Sequence, residues 1–331
     1  MRNLSAVAER FTHPNSQPYD SGLIIADNTN SVVSWLTKED IRPEYYKSRV
    51  NAGLHVINPI ALDMLNIDIE KIGTVDGENG KTIKVDLDRQ VLKPLCGTGK
   101  IFCYDSPEYV KDMGTPDRFE AVCKDFELGV VSAKNLSNKQ KAVFLDRDGT
   151  INVYKGFLRH VDDFELIPGI AEAIKKINAS GYLCIVVTNQ PVVARGEVTV
   201  EALDTIHKKM ETELGLNGAY IDGLYYCPHH PHKGYEGEVP ELKIECECRK
   251  PKPGMLLKAA EDFNIDLSQS YMVGDSENDI KAGMAAGCKS TLVNGVGSSN
   301  SIGEYGQAET MESVFEFVNK YISSFALLTI K

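Results

Sequence analysis

From Lys141 onward the chain repeats one pattern: a short apolar run, a polar residue closing it, then a stretch with apolar residues three and four apart. The runs are AVFLD ending at Asp146, YLCIVVT ending at Thr188, GLYYC ending at Cys227, YMVGD ending at Asp275, and a final TLVN. Between them, Pro168 opens a predicted helix through Ile170, Ile174 and Ile177. Residues 199–214 carry Leu203, Ile206 and Met210 on one helical face, Pro253 begins a helix through Leu256, Leu257 and Ala260, and residues 280–286 read as helical. Strands apolar on both sides, alternating with helices, specify a parallel, doubly wound sheet with helices on both faces. In an α/β sheet of that kind the binding crevice lies at the carboxyl ends of the strands. Asp146, Thr188, Cys227 and Asp275 gather there.

The run FLDRDGT places the carboxylates of Asp146 and Asp148 two residues apart just after a strand, and Gly149 permits the tight turn that aims both into the crevice. Two acids so close repel unless a cation lies between them, and a hard ion such as Mg2+ takes oxygen ligands. Hydrolysis of a phosphate monoester needs its phosphoryl oxygens neutralised and an in-line nucleophile, and a carboxylate can be that nucleophile. Thr188 adds a hydroxyl and Lys250, in CRKPKPG, a cation; Asp275 in VGDSEND completes a metal site, with Asp279 as a supporting carboxylate behind it. Arg147, between the two acids, is a further candidate contact to substrate. On its own the DxDGT run would equally suit a calcium loop or a strand-ending turn, but four such elements in order, each closing a predicted strand, favour phosphoryl chemistry.

A second cluster is C-P-H at Cys227 to His229 and C-E-C at Cys246 to Cys248, with 18 residues between Cys227 and Cys246. Two ligand pairs, each pair one residue apart, can close a tetrahedral zinc site and pin a loop that has little core of its own. His230 or His232 could take the place of His229. Four protein ligands make such a zinc structural, and because Cys248 directly precedes Arg249 and Lys250, the ion would hold those cations in place. The eight cysteines therefore read as metal ligands and buried thiols and not as a disulfide scaffold.

With 36 basic against 47 acidic residues the formal charge is -11, which leaves no broad cationic field for nucleic acid or an anionic membrane. No apolar run approaches a membrane span, and the opening residues lack the apolar core of a signal peptide, so a cytoplasmic location is the expectation.

Asp146, Asp148, Thr188, Lys250, Asp275 and Asp279 resemble the four ordered motifs of the haloacid dehalogenase superfamily. The resemblance implies Asp146 as nucleophile, Asp148 as general acid and base, and Mg2+ held by Asp146, the Asp148 backbone carbonyl and Asp275. The phrases FLDRDGTIN, VVTNQ, ARGEVT, CPHHP and CECRKPKPGM are similar to the D-glycero-D-manno-heptose 1,7-bisphosphate phosphatases and, next, to the histidinol-phosphate phosphatase branch; the long loop between the ligand pairs favours the former. That likeness implies Arg249 at the phosphate that is not cleaved and Asn189 as a contact orienting the sugar. The run QPVVARG departs from it, since the family usually has a Ser-Gly pair after the Gln.

Residues 1–130 read as a partial α/β domain, 131–140 as a polar linker, and 141–331 as the phosphatase domain, closing in a helix over residues 312–328. The first region resembles the carboxyl-terminal half of a sugar-phosphate nucleotidyltransferase, through KEDIRPEYY, VNAGLHVINP and KDMGTPDRFE; Asp112 matches a metal-binding Asp and Lys38 a sugar-phosphate lysine of that family. The Gly-rich triphosphate loop and the first metal-binding Asp are absent, so transfer by this chain alone is not expected. A transferase of a GDP-heptose route as neighbour would make the α-anomer of the bisphosphate the substrate. Two other readings stay open: a phosphatase of the same fold acting on histidinol phosphate or another small phosphomonoester, and a scaffold whose first region binds a sugar nucleotide or docks pathway enzymes.

Overall fold

In the computed structural model, residues 6–15, 21–63, 65, 74–77, 80–83, 85–296 and 309–322 are described. The chain divides into two compact units, residues 1–43 with 48–106, and residues 44–47 with 107–331.

The first unit is built on a five-stranded sheet of β1 (Ala8–Pro14), β2 (Leu23–Ala26), β3 (Val32–Leu36), β4 (Arg49–Ile57) and a later strand, β7 (Ile101–Asp105), in the order β3-β2-β4-β1-β7. β1 runs antiparallel to β4 and parallel to β7, and β2 is antiparallel to both its neighbours. A five-residue helix, α1 (Pro59–Asp63), follows β4, and β5 (Thr74–Gly77) pairs with β6 (Gly80–Ile83) as a separate hairpin.

The second unit opens with α2 (Pro116–Glu127), capped by the Thr115 hydroxyl, and α3 (Val130–Ala133). Residues 131–140, expected as a linker, are bound into this unit. Gln140 pairs its backbone with Asn264 and Asp266 at 3.0 and 2.8 Å, and the Asn264 amide donates to the carbonyls of Leu136 and Asn138. Within the segment the Gln140 amide donates to the Asn135 and Asn138 carbonyls, and the Asn138 amide to that of Ser132.

Then come β8 (Lys141–Leu145), α4 (Ile170–Asn178), β9 (Tyr182–Asn189), α5 (Pro191–Ala194), α6 (Val200–Leu216), β10 (Gly223–Cys227), α7 (Gly254–Asp262), β11 (Tyr271–Gly274), α8 (Glu277–Ala286), β12 (Lys289–Val293), β13 (Glu309–Met311) and α9 (Val314–Tyr321). The strands form a sheet in the order β10-β9-β8-β11-β12-β13, with every neighbouring pair parallel. Alternation along a strand sends neighbouring side chains to opposite faces, and in β8 both faces are buried. Val143 and Leu145 pack with Ile174 of α4, Ile206 and Met210 of α6 and Phe317 of α9. Ala142 and Phe144 pack with Met255 and Leu256 of α7 and Ala282 of α8. Burying an aliphatic or aromatic side chain in this way contributes about 1.5–3 kcal/mol. The edge strand β13 was not expected: three residues, Glu-Thr-Met, carry no apolar run. Helix α9 is capped at Ser313 and ends at Tyr321, and the expected continuation through Phe325 to Leu328 lies outside the described residues.

Candidate active site

The three central strands β9, β8 and β11 end side by side, so Thr188, Asp146 and Asp275 emerge at one edge of the sheet. The backbone of Asp146 is still anchored there, its N–H donating to Val273 at 3.0 Å. Its carboxylate Oδ1 accepts from the Arg147 N–H at 2.7 Å and lies 2.9 Å from the Lys250 ammonium. Lys250 also donates to Asp279 at 2.5 Å and to the Val187 carbonyl at 2.8 Å. Its three hydrogens are thus engaged, so the ammonium braces the Asp146 carboxylate from below as a fixed charge instead of reaching freely for substrate.

Asp279 sits in the first turn of α8 as half of a capping box. Its second oxygen accepts from the Ser276 N–H and hydroxyl, at 3.0 and 2.6 Å. Asp146, Asp275 and Asp279 each offer an oxygen, and these lie within 4.8 Å of one another. Because both oxygens of Asp279 already have partners, Asp146 and Asp275 are the pair suited to face an ion. Burial, and then the Asp279 charge, push Asp146 up to about 7. Asp275 is pushed up to about 8 by burial and then by Asp146 and Asp279. Burial alone would drag Lys250 down, but Asp146 and Asp279 together raise it. Three carboxylates crowd together and only Asp146 and Asp279 pair with the one ammonium, so repulsion and desolvation outweigh pairing, which is the electrostatic condition that a bound cation relieves.

Gly149 has φ of +82°, and a Cβ there would run into the Asp275 carboxylate. The glycine in DGT therefore lets the two halves of the carboxylate set close on each other.

Asp148 is held differently. The Arg147 guanidinium lies 2.8 Å from both its oxygens through Nη2 and 3.2 Å through Nε, and Asn152 and Gln190 donate to it at 3.1 and 2.9 Å. Gln190 also donates to the Thr188 hydroxyl at 2.8 Å, linking that residue to Asp148. Arg147, expected as a substrate contact, is instead fully buried, 0% exposed, and is spent on Asp148 and on His207 at 3.1 Å. Asn189, expected to orient a sugar, exchanges a pair of 3.0 Å bonds with the Lys250 backbone, fixing the lysine peptide. Gln190, Asn152 and His207 were not singled out from the sequence. The first two lie inside the quoted phrases VVTNQ and FLDRDGTIN, whereas His207 shares a helix with Leu203, Ile206 and Met210 and carries no local signal.

The thiols of Cys227, Cys246 and Cys248 and Nδ1 of His229 converge at separations of 3.2–3.6 Å. A tetrahedral zinc with thiolates has ligand edges of about 3.8 Å, so the group needs little movement to close on the ion. Cys248 is drawn down to about 5, chiefly by the Cys227 thiol and further by Cys246 and His229, against the opposing effect of burial. His230 stands outside it, bound to Arg195 at 3.2 Å and to the His232 carbonyl. Arg249 donates to the His229 carbonyl at 3.1 Å, tying the cluster to the segment that delivers Lys250.

Lys38 lies in the first unit and Asp112 in the second, where Asp112, 65% exposed, pairs with Arg118.

A family model described as HAD-hydrolase-like matches residues 247–315. The D-glycero-beta-D-manno-heptose-1,7-bisphosphate 7-phosphatase of Escherichia coli K12 is 46% identical over 145 residues, 44% of this chain and 74% of that protein. Its namesake from Haemophilus ducreyi is 44% identical over 155 residues, 46% of this chain and 82% of that one. The crystal structure of D,D-heptose 1,7-bisphosphate phosphatase from B. bronchiseptica, complexed with magnesium and phosphate, covers 58% of this chain and 100% of its own at 30% identity, with a TM-score of 0.47.

An α/β fold with a parallel sheet, together with these relatives, defines a HAD-like phosphatase, a hydrolase of phosphoric monoesters. Within that class the chain belongs to the D-glycero-beta-D-manno-heptose-1,7-bisphosphate 7-phosphatase family, through a match spanning 44–46% of its length.

Proposed function

We propose that the chain removes the C7 phosphate of D-glycero-D-manno-heptose 1,7-bisphosphate through a phosphoaspartate at Asp146, in the supply of nucleotide-activated heptose in the cytoplasm. The observation that carries this is the Asp146 carboxylate braced by Lys250 beside Asp275, with Asp148 clamped next to it. An oxygen of Asp146 attacks phosphorus, forming an acyl phosphate as the bond to the sugar oxygen breaks, while Asp148 gives that oxygen a proton. Asp148 then takes a proton from the water that cleaves the acyl phosphate. Thr188 contributes a hydroxyl to the phosphoryl oxygens, and Arg249 binds the phosphate that stays. Mg2+, when held by Asp146, Asp275 and the Asp148 carbonyl, neutralises the phosphoryl oxygens. Zn2+ on Cys227, His229, Cys246 and Cys248 pins the loop.

The α-anomer expected from a transferase neighbour is set aside, because the relatives from E. coli and H. ducreyi are named for the β-anomer. Phosphate release from both anomers, from histidinol phosphate and from other sugar phosphates, with and without Mg2+, tests the reading. The β-bisphosphate is expected to lead in kcat/KM by about 10-fold or more. A preference for histidinol phosphate would overturn it.

Two metal predictions follow from the donor sets. Asp146 and Asp275 titrate near 7 and 8 in the folded chain, above the unfolded value of about 4, so the folded state binds more protons and loses stability as pH rises between those values. An ion that needs both groups ionised removes that loss. The rise in Tm on adding Mg2+ is therefore expected to be larger at pH 8 than at pH 5.5; equal rises would count against the site. Cys246→Ser is expected to lose bound zinc and lower activity while keeping the Mg2+-induced rise in Tm. Unchanged zinc content on elemental analysis would remove Cys246 as a ligand.

A further inference from the structure

We infer that His207, on α6, is a positioning residue for catalysis: it seats the Arg147 guanidinium, which in turn aims the Asp148 carboxyl at the departing oxygen. The inference rests on the reading of Asp148 as general acid and deepens it.

Arg147 has no exposed surface, and His207 is 3% exposed. A buried guanidinium must find acceptors for its fixed fork of donors. Nε and Nη2 spend theirs on Asp148, and Nη1 points the other way, to His207 Nε2 at 3.1 Å. A guanidinium only donates, so Nε2 of His207 must be the unprotonated, accepting nitrogen, and the ring is neutral with its proton on Nδ1. Burial first, and the Arg147 charge second, keep the imidazole well below its ordinary range, in accord with that tautomer. The ring is itself fixed, on a helix that packs Ile206 and Met210 into the core and against Tyr226, with ring centroids 5.6 Å apart.

The chain of contacts therefore runs from the helix core through a neutral acceptor and a rigid planar cation to the carboxyl that handles protons. A lysine at 147 would bring charge but no fork, and an apolar residue at 207 would leave Nη1 without a partner where water is excluded. In either case the site around position 147 relaxes and the aim of Asp148 is lost, while Asp146, Lys250 and Asp279, held by separate bonds, stay in place.

Proton donation matters for a sugar alkoxide and hardly at all for p-nitrophenolate, a leaving group stable without a proton. The test is single-turnover release of the leaving group from the best sugar phosphate substrate and from p-nitrophenyl phosphate, by the full chain. His207→Leu is expected to slow sugar release by about 10-fold or more, with KM within about 3-fold and p-nitrophenol release nearly unchanged. His207→Gln, whose carbonyl can accept from Nη1, is expected to restore most of the rate. Equal losses on both substrates, or no loss on either, would overturn the inference. Should His207→Leu fail to accumulate in folded form, Arg147→Lys is read by the same two substrates with the same expectations. Asp148→Asn in parallel separates the two levels. If it shows the selective loss and the His207 variants do not, the inference alone falls; if it shows none, the general-acid reading falls and the inference with it.

Discussion

Asp146→Asn is expected to abolish turnover of every phosphate monoester, with kcat down by about 10^4-fold or more, because an amide oxygen cannot form the acyl phosphate on which the second half-reaction depends. The fold should survive. Asp146 directly follows β8, whose last four residues are buried, and its backbone bond to Val273 does not involve the side chain. The same substitution has a thermodynamic signature that inactivation alone would not produce. Asp146 is pushed up to about 7, so its ionisation burdens the folded chain progressively from about pH 4 to 7. Without added Mg2+, the variant's Tm relative to the parent should therefore improve between pH 5 and pH 8. Retained phosphatase activity would remove Asp146 as nucleophile, and a Tm difference that worsens with pH would remove the electrostatic account of the cluster.

Gly149→Ala is expected to lower kcat/KM by about 10^2-fold or more and to erase the Mg2+-induced rise in Tm. The residue has φ of +82°, and an added Cβ meets the Asp275 carboxylate. Left-handed backbone costs a non-glycine residue about 1–2 kcal/mol, which the domain can tolerate. The displaced carboxylate is the graver consequence, since misplacement by about 1 Å is enough for a 10^2-fold loss. Far-UV circular dichroism should be unchanged. Parent-like kinetics would show that Asp275 does not need the space that Gly149 leaves.

The strands β8, β9 and β11 lie within about a residue of the apolar runs that announce them, because a strand buried on both faces must be written in consecutive apolar residues; the half-buried edge strand β10 also coincides with its run. Glu309–Met311 pairs on one side only and shows no such run, so it was illegible. The bonding of residues 131–140 to Asn264 and Asp266, over 120 residues away, was likewise illegible, because a solvated tether and a docked polar segment have the same composition. The site shows the same division. Asp146, Thr188 and Asp275 were legible from their position at strand ends and Lys250 and Asp279 from the motifs around them, and the structure places Lys250 against Asp146 and Asp279. The orientation of Arg147 was not, because it depends on His207 arriving from a helix 60 positions on. Nor was the spending of Asn189 on the Lys250 peptide, a contact across 61 positions.

The shared ammonium of Lys250 also sets a rule of valence. Asp146, Asp275 and Asp279 carry three negative charges when ionised against its single positive one, leaving a deficit of two. One doubly charged visitor restores neutrality; sodium or potassium would leave the crevice anionic and still hostile to an incoming phosphate. A dication at these carboxylates would therefore remove the repulsion that an anionic ester otherwise meets, which a monovalent ion would not.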